Sequence, residues 1–157
     1  MTNAPTPESF WVEPGLLLAG KYPGGDAATV RALLDAGIRT FVDLTEEGEL
    51  RPYGDTVDDG LTWLRRPIRD FSVTTPELMR RTLDALDEAL ERGPVYVHCW
   101  GGCGRTGTVV GCWLVRHGTE PAEALERFHG FSASVCGRRC PETDEQREMV
   151  LGWSRGR

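Results

Sequence analysis

A chain of 157 residues, 39% hydrophobic and 8% aromatic, has enough apolar surface for one core and little for a second. A single soluble domain over 1–157 is therefore expected. The formal net charge of −6 excludes a general nucleic-acid binder, whose affinity for phosphate backbones rests on a basic surface. The longest apolar run, Thr106 to Val115, lies between two arginines and falls well short of the ~20 residues that span a bilayer.

Met1 to Glu8 carries two prolines and neither the basic nor the apolar region of an export signal, and reads as a flexible lead-in. Five cysteines without such a signal predict a reducing, cytoplasmic setting in which thiols serve reactivity or packing rather than structural disulfides. Zinc is the competing use of Cys99 with Cys103, or of Cys136 with Cys140, but neither pair has the two-residue spacing of a zinc knuckle. No metal or other cofactor is expected.

Trp11 to Ala19 reads as one or two strands broken at Pro14-Gly15, and Asp26 to Ala36 as a helix stopped by Gly37. Arg39 to Leu44 is strand-like. After a charged, turn-rich stretch from Thr45 to Gly60, Leu61 to Ile68 returns to strand character before a loop containing Asp70. The next helix has Thr75 to cap it, Pro76 in its first position, an apolar face of Leu78, Met79, Leu83, Leu86 and Leu90, and Gly93 to end it.

Pro94 to His98 reads as a short buried strand. A glycine-rich turn over Gly101 to Gly107 then leads into a buried helix, Val109 to Val115. Helices near Pro121 to Phe128 and Glu142 to Trp153 complete an α/β fold with a central mixed sheet of about four or five strands flanked by helices. No repeat or interdomain linker interrupts it.

The chemistry is concentrated in His98-Cys99-Trp100-Gly101-Gly102-Cys103-Gly104-Arg105-Thr106-Gly107. The glycines let the backbone curl, so that amides from Trp100, Gly101, Gly102, Cys103, Gly104 and Arg105 converge on one anion at the positive end of the following helix. Arg105 closes this cradle with a guanidinium that grips two phosphate oxygens. The same dipoles favour a negative sulfur on Cys99, which becomes the nucleophile. Thr106 can donate a hydrogen bond to that sulfur as it leaves, and His98 can orient the loop. Cys103 sits close enough in sequence to bridge Cys99 under peroxide, unless a loop wound around an anion splays the two apart.

His98-Cys99, five intervening residues and Arg105-Thr106 resemble the signature of protein tyrosine and dual-specificity phosphatases. The compact length points to the dual-specificity group. In that resemblance Pro67-Ile68-Arg69-Asp70 corresponds to the segment carrying the general acid, which makes Asp70 the candidate, with Asp58 and Asp59 as substitutes. Glu142-Thr143-Asp144-Glu145-Gln146 resembles the segment where relatives use a glutamine to position water, although helix capping explains Gln146 equally well.

The implied reaction is phosphate-monoester hydrolysis through a phosphocysteine, on a phosphorylated protein or small phosphomonoester. Relatives acting on phosphoinositides place lysines where Trp100 and Cys103 stand, so phosphotyrosine is expected ahead of phosphoserine and of inositol lipids. Extra anion contacts would fall to Arg65, Arg66, Arg69, Arg138 or Arg139. A phosphoinositide or sugar phosphatase, an inactive phosphate-binding module and a rhodanese-type sulfurtransferase are the alternatives. Cys112 reads as core, His117 and His129 as helix-end residues, and Trp63, Trp113 and Trp153 as packing.

Overall fold

The computed structural model describes residues 3–53 and 60–157, so Asp58 and Asp59 lie outside the described residues. The chain runs β1 (Ser9–Glu13), β2 (Leu17–Gly20), α1 (Ala27–Asp35), β3 (Thr40–Asp43), β4 (Thr62–Arg65), α2 (Pro76–Arg92), β5 (Val95–His98), α3 (Gly104–Arg116), α4 (Pro121–Cys136) and α5 (Asp144–Leu151). The strands form one sheet in the order β1-β2-β5-β3-β4. β1 is antiparallel to β2, and the remaining pairings are parallel.

The parallel register sets His98 beside Asp43 and Asp43 beside Arg65. The carboxyl ends of β5, β3 and β4 thus open together, and in α/β sheets the loops leaving such ends carry the functional groups. Alternation along each strand divides the core in two. Leu18, Phe41 and Tyr96 face α1 through Val30, Leu33 and Leu34. Leu17, Val42, Val95 and Val97 face the helices on the other side, where Leu83, Leu86, Val110 and Phe128 pack against them. Each fully buried leucine there stabilises the fold by about 1.5–3 kcal/mol.

The punctuation acts as its chemistry dictates. Asp26 accepts a hydrogen bond from the Ala28 amide at 2.8 Å, Gly37 takes φ 95° after α1, and Thr75 Oγ1 accepts from the Leu78 amide at 3.2 Å to start α2. Two boundaries and one buried face differ from expectation. α3 begins at Gly104, because residues 104–108 are themselves buried in the helical register. α4 continues past Phe128 to Cys136 and stops at Gly137, whose φ of 64° is left-handed. The buried face of α2 is Met79, Thr82, Leu83, Leu86 and Ala89, whereas Leu78, in the first turn, faces outward and is half exposed.

Toward the amino terminus, Thr6 is buried, and its amide and Oγ1 both donate to Ser9 Oγ, at 3.3 and 2.9 Å. The Glu8 carbonyl accepts from the Lys21 amide at 3.1 Å, so the segment expected as a lead-in is packed on the sheet from Thr6 onward. Among the described residues no helix is long and apolar enough to cross a membrane.

Candidate active site

β5 ends at His98, and the next five residues, Cys99 to Cys103, wind into α3 beside the sheet's carboxyl edge. Gly102 takes φ 71°, and a Cβ on it would lie 2.6 Å from the Gly20 carbonyl carbon. The loop therefore rests directly on the end of β2, with no room for a side chain between. A Cβ on Gly104 would meet the Glu142 carboxylate at 2.3 Å. The Trp100 carbonyl accepts from the Tyr22 amide at 3.1 Å, and the His98 carbonyl from the Leu44 amide at 2.9 Å.

Cys99 is a free thiol, 3% exposed, on a cavity of about 380 Å³ shared with Asp70, Phe71, Trp100, Gly101, Gly104 and Arg105. His98, behind it, is fully buried. The Tyr53 hydroxyl lies 2.5 Å from Nε2, and Nδ1 lies 3.0 Å from the Cys99 carbonyl. Only a ring protonated at Nδ1 satisfies both, with Tyr53 donating to Nε2. Burial holds the imidazole below its usual range against the opposing pull of Asp43. A neutral His98 thus fixes the Cys99 carbonyl.

Arg105 is 1% exposed, and its guanidinium is aimed before any anion arrives. NH1 donates to Glu49 Oε2 at 2.8 Å and to the Ile68 carbonyl at 3.0 Å, while NH2 donates to Glu49 Oε1 at 2.6 Å. Burial lowers its pKa, but the Glu49 bond and the charges of Cys99, Glu49 and Asp70 raise it above the ordinary guanidinium value. Nε, also buried, has no hydrogen-bond partner among the described residues, and neither has the buried Thr106 Oγ1. Such orphaned buried donors call for a partner. They sit on the two residues that follow the cradle glycines.

Asp70 leads over the same cavity, with Oδ1 3.3 Å from Arg105 NH2 and 3.0 Å from the Phe71 amide. Phe71 is the one non-glycine with positive φ among the described residues, at 58°, which costs on the order of 1–3 kcal/mol for such a side chain. It and Trp100 are both about 60% exposed and line the cavity mouth. Phe71 escaped the sequence reading, since nothing marks a loop phenylalanine except its place after Asp70.

Glu49 also escaped it, hidden among the acidic residues of a turn-rich stretch. Its hydrogen bond to Arg105 holds the carboxyl below the usual carboxylate range. The stability it contributes is present above the unfolded carboxylate pKa of about 4.3 and is lost as pH falls through the lower folded value. Glu49→Gln should destabilise the protein at pH 7 by about 1–3 kcal/mol. Urea midpoints of variant and wild type should converge as pH falls below about 4. An unchanged gap at acid pH would show that the carboxylate's charge is not what Arg105 uses.

The expectation that the cysteines serve reactivity or packing rather than a structural disulfide is corrected. Cys103 is bridged to Cys140, with Cα atoms 5.0 Å apart, so it is neither a free thiol nor a partner of Cys99. The cause is the winding of the loop: Cys103, as N-cap of α3, borders the cavity while its sulfur reaches the segment after α4. Cys112 is core, where burial pushes its thiol up to about 12.

Gln146 is fully buried. Its Oε1 accepts from the Glu142 and Thr143 amides at 3.2 and 3.1 Å, and Nε2 donates to the Ser72 carbonyl at 3.2 Å. It closes a capping box and ties α5 to the loop that carries Asp70. Arg65 pairs through one nitrogen with Asp43 at 3.7 Å and stacks on Trp63, while its buried Nε and other terminal nitrogen have no hydrogen-bond partner among the described residues. Arg138, at 3.5 Å from Glu142, is the remaining arginine on the cavity wall.

A strand–glycine loop–helix that presents a buried thiol, a clamped arginine and an overhanging aspartate defines the cysteine-dependent dual-specificity phosphatase class. Residues 6–148 match the family described as PTP-SAK, the Swiss Army Knife DSP-PTPase phosphatase domain. The chain belongs to this family. Among solved structures it resembles Tk-PTP in the active form, at 28% identity and a TM-score of 0.76 over 92% of this chain and 94% of that one. The fold is also that of TpbA from P. aeruginosa, solved with pTyr, at 22% identity and a TM-score of 0.71 over 98% and 88% of the two chains. Among curated relatives, the 067L protein of Invertebrate iridescent virus 3, named as a tyrosine phosphatase, is 36% identical over 68% of this chain. The match spans only 45% of that viral protein's length.

Proposed function

We propose that this chain hydrolyses phosphate monoesters through a phosphocysteine on Cys99, with aromatic esters such as phosphotyrosine preferred. The observation that carries this reading is Arg105: its NH1 and NH2 fork is taken by Glu49 while the buried Nε–H, one residue from the buried Thr106 hydroxyl, has no partner among the described residues. A phosphate dianion in the loop satisfies Nε together with the loop amides, and places its phosphorus beside Cys99. Cys99 Sγ attacks phosphorus, Asp70 delivers a proton to the departing oxygen, and the same carboxylate then takes a proton from the attacking water. Thr106 Oγ1 is available to donate to the sulfur as it leaves.

Asp70 lies 3.3 Å from Arg105, which disfavours an inactive phosphate-binding module, since that reading needs the acid displaced. Family membership disfavours the sulfurtransferase. Phe71 and Trp100 offer two aromatic faces at the mouth, suited to a flat phenyl ring. The test is kcat/KM for phosphotyrosine peptides, phosphoserine peptides and inositol phosphates at one salt concentration, with the ranking expected in that order. An inositol phosphate exceeding the phosphotyrosine peptide by about tenfold, or about 1.4 kcal/mol of transition-state binding, would overturn it.

A further inference from the structure

Three sulfurs meet where the phosphate loop packs on the end of α4 and the segment after it, and one of the three residues, Cys103, also borders the cavity that holds Cys99. Cys103, on the loop, and Cys140, between α4 and α5, are bridged, and both are fully buried. Cys136, the last residue of α4, is a half-buried free thiol. The sulfurs of all three lie within 4.8 Å of one another, and Cys136 Sγ is 3.5 Å from the Gly101 carbonyl of the loop itself.

A reductant opens a disulfide by in-line attack on one of its sulfurs, so access decides the rate. Neither bridged residue offers surface to solvent. Cys136 does. We propose that Cys136 is the entry thiol of a thiol–disulfide exchange site, through which an external dithiol reductant opens the Cys103–Cys140 bridge and releases the phosphate loop from the segment after α4.

In the first step the Cys136 thiolate attacks Cys140 Sγ. A Cys136–Cys140 bond forms, the Cys103–Cys140 bond breaks, and Cys103 leaves with the electron pair and takes up the proton that Cys136 gave to solvent. Nothing is oxidised or reduced overall. Attack on Cys140 is the local choice, four residues away in the chain and on the same side of the loop.

In the second step one thiolate of the dithiol attacks Cys136 Sγ, and Cys140 leaves as a thiolate. The second thiol of the reductant then displaces Cys136. The reductant ends as a cyclic disulfide, two protons pass to the protein thiols, and two electrons have moved from dithiol to bridge.

Burial pushes the Cys136 thiol up to about 11, so the attacking form is scarce at neutral pH and exchange quickens as pH rises. The site acts as a slow latch. What it latches is specific: Cys103 is the N-cap of α3, and the segment it is tied to carries Arg138 and Glu142, both on the cavity wall.

The experiment is reduction of the full chain by dithiothreitol, quenched at intervals by acid, alkylated and digested with trypsin. Cleavage separates the peptides Gly93–Arg105, Phe128–Arg138 and Cys140–Arg147, so each pairing has its own cross-linked mass. Wild-type protein should pass through a Phe128–Arg138 to Cys140–Arg147 species. Cys136→Ser and Cys136→Ala should lose that species and open the native bridge at least about tenfold more slowly, with wild-type thermal midpoints before reduction. Opening within about twofold of wild type in either folded variant, or no such species at any time point in wild-type protein, would overturn the exchange site. Binding of one zinc ion by the reduced protein, lost in Cys136→Ser, would overturn it in favour of a three-thiolate metal site.

Discussion

Cys99→Ser is expected to lower turnover of every phosphate ester by about 10³-fold or more while inorganic phosphate and vanadate still bind. The two halves of that result come from different parts of the loop. Binding rests on backbone amides and on Arg105, whose orientation is set by Glu49 and the Ile68 carbonyl and does not depend on the sulfur. Turnover rests on the nucleophile, and a serine hydroxyl in its place has no adjacent base, because the ring of His98 is turned to Tyr53 and a backbone carbonyl. Residual activity above about a thousandth of wild type would point to another nucleophile. Vanadate affinity falling in step with turnover would mean that the sulfur helps hold the loop in shape.

The second large effect is expected at Asp70. Asp70→Asn should slow hydrolysis of alkyl and unactivated phenyl phosphates by about 10²–10⁴-fold, and activated aryl phosphates far less, since a good leaving group needs little protonation. The basic limb of the pH–rate profile should flatten as well. The asparagine can keep the hydrogen bond that Asp70 Oδ1 accepts from the Phe71 amide, so the left-handed turn there should survive. Equal losses across leaving groups would reassign Asp70 to holding Arg105.

The order of strands and helices was legible because several boundaries are marked by a residue with a local reason to be there. Thr75-Pro76 starts α2, Gly37 ends α1, and Pro14-Gly15 breaks the first hairpin, all through backbone chemistry within a few residues. The phosphate loop was legible for the same reason, being one continuous decapeptide whose glycines, cysteine and arginine explain one another.

What stayed hidden depends on contacts distant in sequence. Glu49 reaches Arg105 across 56 residues, Tyr53 reaches His98 across 45, and Cys140 reaches Cys103 across 37. An acidic residue in an acidic turn carries no mark of the arginine it will meet. The partner of Cys103 stayed open because nearness in sequence does not settle nearness of side chains, and a tight loop can splay neighbouring side chains apart. Gln146 was ambiguous because capping and positioning ask for the same side chain at the same place, and only its bond to Ser72 separates them.

The contact between Gly102 and Gly20 bears on how this enzyme can diversify. Each position excludes a side chain for a different reason, Gly102 because of the Gly20 backbone and Gly20 because a Cβ would strike the Glu8 carbonyl at 2.3 Å, so neither can be altered to make room for the other. Two residues away, Trp100 is about 60% exposed while its carbonyl accepts from the Tyr22 amide, and Phe71 lines the same cavity. Inherited variation is thereby channelled to the rim. One aromatic side chain at the lip can be exchanged for another without disturbing the backbone floor of the loop.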